Sequence, residues 1–432
     1  MIKKVLVLIL AGLTLLPCLL MSADVAEVQL LAVDYPGSFK PDGMWSGLYV
    51  ASSGKVYTGL CTHGGSALFY EYDPSTGANR LIAEIGRYLG DNGTGERSHS
   101  KIHTRFAEDS RGNIYFATGN QGGGPRQIDP LTWAHKGSHL FRYTPSEDKL
   151  EVLGIVAPNW GSYGLVLDKK RDIAYLTCLD NHLHSFDIQA RKSRDLGRVN
   201  NWDVNRIIAM DDRGNVYGTF ISHYLWKYDV ESDQLLDLPL QIPLKNDLKF
   251  VYSGGRPVMD RRYNWRYAEW VPSLGKIYGM ECGRSLLFEF DPHSGRYGSV
   301  RLVADMALDS QIQSGDHPYA TLAVGFAPEG VVYYALVDRV FDYSATEQAT
   351  VARSSTYFQK CDLRTGQKRM LGRLVTTKGL RVLGSGACEV AADGTVYLCA
   401  AVEEPDLSRS AGRAAGVEPF RLQLLVWNPG SR

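Results

Sequence analysis

The chain has 432 residues, with 47 basic and 47 acidic side chains and no net formal charge. That balance gives no electrostatic case for nucleic acid or an anionic membrane surface as a partner. The 44 glycines and 24 tyrosines suit an all-β chain with many turns.

The first element is an export signal. Lys3-Lys4 precede an apolar stretch over 5–20, and Met21-Ser22-Ala23 ends in a small residue, so residues 1–23 read as a signal peptide. Residues 24–432 are then expected as one exported domain, periplasmic or extracellular, monomeric, and off the membrane after cleavage. Six cysteines follow the signal: Cys61, Cys178, Cys282, Cys361, Cys388 and Cys399. They lack the close spacing of a zinc site or a redox pair, so no metal site is expected from them. Buried free thiols are the expected state, with a Cys388–Cys399 bridge across the Asp393-Gly394 turn as the alternative.

A repeat organises the rest. A turn followed by a β-branched residue and tyrosine occurs at Tyr57, Tyr115, Tyr217, Tyr278, Tyr333 and Tyr397, and in degenerate form at Tyr175. After most markers comes an alternating strand running into a turn, as in Leu68-Phe69-Tyr70-Glu71-Tyr72-Asp73-Pro74 and Leu287-Phe288-Glu289-Phe290-Asp291-Pro292. A fourth strand often follows, as at Arg369-Met370-Leu371-Gly372. The pattern predicts a seven-bladed β-propeller of four-stranded antiparallel blades over 44–86, 101–156, 160–198, 203–242, 263–304, 319–375 and 381–432. The last unit stops at its third strand, near 422–427. Residues 27–35 supply the missing one, which closes a ring and removes exposed edges.

The long connections are 87–100, 243–264 and 305–318 between units, and 120–138, 338–354 and 403–418 between second and third strands. In a propeller these emerge on one face, which is where a site is expected. Twelve residues before each marker tyrosine lies the mouth of the central channel, giving Trp45, His103, Tyr163, Asn205, Arg266, Thr321 and Ser385. Six residues after each marker lies a second ring: His63, Gln121, Asn181, His223, Arg284, Arg339 and Glu403. His139 ends the insertion above His103.

These types suit β-elimination on a uronic-acid sugar. Arg266 would pair with the sugar carboxylate and make the neighbouring proton easier to remove. His103 would take that proton and Tyr163 would protonate the leaving oxygen, or the two would exchange roles. Trp45, Trp160 and Trp265 would stack on sugar rings. The remaining binding positions are His63, His139, Asn205, His223, Arg284 and Arg339. The expected partner is an acidic poly- or oligosaccharide.

The Gly-x-Val/Ile-Tyr and Leu-Phe-x-Tyr-Asp-Pro-x-x-Gly patterns resemble those of exported bacterial β-propellers. Some of these are polysaccharide lyases that use histidine, tyrosine and arginine at the channel mouth. The resemblance covers the fold and names no single family. A non-catalytic glycan- or protein-binding propeller is the alternative. A calcium-dependent lactone hydrolase is the second, with Asn205, Asp203 and Glu269 as ligands. No cofactor is expected otherwise.

Overall fold

Two of the repeat turns show why the marker segment folds as a hairpin. The Asp109 carboxylate accepts hydrogen bonds from the N–H groups of Arg111 (2.8 Å) and Asn113 (3.0 Å), the Asn113 amide (2.8 Å) and the Tyr115 hydroxyl (3.1 Å). Asp211 repeats the arrangement with Arg213, Asn215 and Tyr217. The residue between, Gly112 or Gly214, has φ of +80° or +91°, a region a side chain would strain. Elsewhere the marker tyrosine reaches a carboxylate on the next strand: Tyr57 to Glu71 (3.0 Å) and Tyr278 to Glu289 (2.8 Å). The tyrosines are buried in the core as well, so each joins packing to a hydrogen bond.

The computed structural model describes residues 25–62, 65–90, 99–119, 137–200, 206–220, 224–243, 251–253, 256–258, 264–314, 320–342, 350–406 and 418–430. The expected signal peptide, 1–23, lies outside these. Among the described residues the main strands form seven four-stranded antiparallel groups. The first runs Gly43–Val50, Val56–Cys61, Leu68–Asp73 and Ala78–Glu84. In the second the innermost strand is split into Lys101–Ile102 and Ala107–Glu108, both paired with Ile114–Gly119. The innermost strand of the first group packs on that of the last, Val382–Val390, so the groups form a propeller ring.

Ring closure uses Glu27–Asp34. Its first half runs parallel to Arg373–Thr376, and its second half runs antiparallel to Phe420–Trp427 with Leu31 opposite Val426. Leu30 is fully buried at the junction. The N-terminal strand thus completes the last unit and also ties it to the preceding one.

One expectation needs correction, and one alternative falls away. The stretch 338–354 is not simply a loop, because the flanking strands extend as Val331–Asp342 and Thr350–Asp362. Arg339 lies inside the first of these, opposite Ser354. The stretch is rich in β-branched and aromatic residues, which favour continued pairing. The Cys388–Cys399 bridge is absent. Cys388 pairs with Leu398 and Cys399 with Ala387, a one-residue offset that sends the sulfurs to opposite faces. All six cysteines are buried free thiols.

Candidate functional site

The site begins at a break in the second unit. Between Lys101–Ile102 and Ala107–Glu108 the inner strand leaves the ladder, and the Thr104 side chain replaces the lost pairing. Its hydroxyl donates to the Ala117 carbonyl (3.2 Å) and accepts from the Ala117 N–H (3.0 Å). The Ser46 hydroxyl donates to the His103 carbonyl. The break frees the His103 ring to pack between neighbouring units.

Three units supply an aromatic row. The His103 ring lies 4.4 Å from Tyr163 and 5.6 Å from Trp45 between centroids, stacked on the latter. The Lys101 ammonium sits 3.5 Å from the Trp45 centroid and 5.2 Å from that of Tyr163. Gly43 makes this possible, since a Cβ there would meet the Trp45 ring at 2.5 Å. Arg206 and Arg266, from the next two units, act electrostatically on His103. Burial first, then Lys101, Arg206 and Arg266, push the His103 imidazole well below its ordinary pKa. The ring is therefore neutral at neutral pH. It is fully buried, and neither nitrogen has a hydrogen-bond partner among the described residues.

Beneath this row an ion-pair group spans the channel. Arg105, two residues beyond His103, reaches Glu269 (3.1 Å) on the fifth unit and Glu389 (2.5 Å) on the seventh. The Tyr267 hydroxyl donates to Glu269 (3.0 Å), and its ring lies 5.2 Å from the guanidinium carbon. Burial raises the Glu389 carboxyl to about 7, with Arg105 opposing and Glu269 adding. This folded value exceeds the ordinary 4.5. Its contribution to stability is therefore fully present at acid pH and lost as pH rises through about 7. Relative to Glu389→Gln, the native protein should lose up to about 3 kcal/mol between pH 5 and pH 8. Urea denaturation at both values measures it, and parallel pH profiles would contradict it.

The remaining sequence-derived positions divide. Trp45, His103 and Tyr163 come together, with Arg266 beside them. His139 instead stacks edge-on with His99 at 4.7 Å, and its N–H is held by the Thr118 hydroxyl. Trp160 packs against the core between the second and third units. Trp265 is buried, stacked on Phe288, and donates to the Ile207 carbonyl (2.8 Å), so it offers no face to a sugar. Arg284 sits in a turn whose N–H groups cap Glu281. Glu269 faces Arg105. Glu403 pairs with Arg381 (2.7 Å). His63, Asn205, His223, Gln121 and Asp203 lie outside the described residues. Lys101, Arg206 and Arg105 were missed. Repeat registration samples one position per unit at each offset, and these lie one or two residues from the nearest sampled position.

No family model matches the chain, and no curated protein matches it in sequence. Solved structures do match in fold. A crystal structure of the RRP9 WD40 repeats has a TM-score of 0.55 at 10% identity, covering 94% of this chain and 97% of that one. A structure of U3-55K gives 0.54 at 10% identity, with 94% and 98% covered. A chain in a crystal structure of the mitotic checkpoint complex gives 0.50 at 10% identity, with 98% of each covered. At such identities the likeness concerns the β-propeller fold alone.

Proposed function

We propose that this propeller binds an acidic carbohydrate at the mouth of its channel, as an exported protein resembling propeller polysaccharide lyases. The observation that carries the reading is the Lys101 ammonium over the Trp45–His103–Tyr163 row, with Arg206 and Arg266 acting electrostatically on His103. Cations beside aromatic faces fit a sugar that carries a carboxylate. His103 has two ring nitrogens with unused bonding capacity, one a donor in the neutral ring, and a sugar reaches them by opening the buried row.

Cleavage by β-elimination is the narrower form of the proposal. Arg266 pairs with the uronate carboxylate, a base removes the adjacent proton, and the glycosidic oxygen leaves with a proton from the protein. The low basicity of His103 favours its role as a carboxylate donor, with Tyr163 at the proton-transfer step. Ultraviolet absorbance of unsaturated uronides, followed on pectic, algal and animal acidic polysaccharides, tests this. Product formation is expected on one of them. Binding without absorbance change would leave a binding protein and remove the elimination step. A second reading is a non-catalytic protein-binding propeller, and one fold neighbour is a chain of the mitotic checkpoint complex. Binding of no acidic glycan would favour it.

A further inference from the structure

The third unit carries a separate cluster at the turn between its second and third strands, Ile173–Cys178 and His182–Asp187. The Cys178 sulfur, a carboxylate oxygen of Asp180 and a ring nitrogen of His184 all lie within 4.8 Å of one another. His184 Nε2 is 2.8 Å from Asp180 Oδ2, while Asp180 Oδ1 accepts the His182 N–H (3.1 Å). Cys178 and His184 are both buried. Asp195 acts electrostatically on both, and its two oxygens lie 2.8 and 2.9 Å from His182 Nδ1. One thiol, one imidazole and one carboxylate make a donor set for zinc or cobalt rather than for calcium or magnesium. Tetrahedral zinc holds such ligand atoms roughly 3.3–3.8 Å apart, so a small opening of the Asp180–His184 contact admits an ion.

We propose that Cys178, Asp180 and His184 form a binding site for a zinc-class divalent metal, with Asp195 or a water as fourth ligand. As the sulfur–metal bond forms, Cys178 gives up its proton to solvent, and the metal's positive charge offsets the cost of a thiolate in a buried place. The site is structural in consequence. The Ser162 hydroxyl contacts the Cys178 sulfur at 3.1 Å, and Ser162 pairs with Cys178 in the ladder just before Tyr163. Metal at Cys178 braces the strand that presents Tyr163 to the channel mouth. The Cys-x-Asp-x-x-x-His spacing carries a single cysteine, so it matches no paired-cysteine pattern in the sequence.

Chelator-treated protein titrated with cobalt tests the site. The expected result is one equivalent bound, with a thiolate-to-cobalt charge-transfer band that zinc abolishes. Cys178→Ser should lose the band, and Asp180→Asn should weaken zinc at least tenfold. Asp180 is partly exposed, so that variant keeps the result readable if Cys178→Ser fails to fold. Absence of the band in folded native protein, its retention in Cys178→Ser, or unchanged zinc affinity in folded Asp180→Asn would each overturn the site.

Discussion

Replacing Arg266 by alanine should lower affinity for a uronic-acid oligosaccharide by about ten- to a hundredfold while the protein stays folded. A hydrogen-bonded pair between a guanidinium and a carboxylate contributes roughly 1.5–3 kcal/mol, the size of that change. Arg266 belongs to the cationic group that acts on His103, after Lys101 and Arg206, so its removal takes part of the positive field from the row. Isothermal titration at fixed ionic strength measures the effect, since exposed charges are screened by salt. Tyr163→Phe keeps the aromatic face, 4.4 Å from His103, and removes only the hydroxyl. It should bind nearly as the native protein and slow any elimination. A native-like Arg266→Ala would remove the assigned carboxylate partner.

Arg105→Ala should be the most destabilising single change in the channel, by about 3–5 kcal/mol at pH 8. Arg105 is the shared cation of Glu269 and Glu389, which approach it from units far apart in the ring. Its loss leaves two mostly buried carboxylates with no cation between them. The penalty should shrink at pH 5, where Glu389, raised to about 7, is already protonated. Adding Glu389→Gln should restore part of the stability, read as a double-mutant cycle in urea. A loss independent of pH, or no rescue, would mean that Arg105 acts through packing.

How far the sequence reaches can be judged residue by residue. The marker tyrosines and their turns locate the strands, because the turn chemistry is local: Asp109 and Asp211 close their hairpins within six residues. Registration of repeats also picks out Trp45, His103 and Tyr163, whose rings meet, and Arg266, which acts on His103. It works because equivalent positions in a ring of similar units face the same axis. What it misses is contact across that axis. Arg105, Glu269 and Glu389 are far apart in the chain, and no repeat offset links them. Trp265 shows another limit, since the ladder bulges at Arg266 and its neighbour Trp265 goes into the core. The extended hairpin at Val331–Asp342 has strand-forming residues where an insertion suggested a loop. Cys388 and Cys399 differ from facing partners by one residue of register, which no turn motif reveals.

The central claim is that the channel mouth recognises a sugar by its negative charge. Titration of the protein with a short uronic-acid oligosaccharide, and with the same oligosaccharide after reduction of its carboxylates to alcohols, tests it most directly. The expected result is a single class of site for the acidic form and an affinity at least tenfold lower for the reduced form. Equal binding of the two, or binding of neither, would contradict the claim.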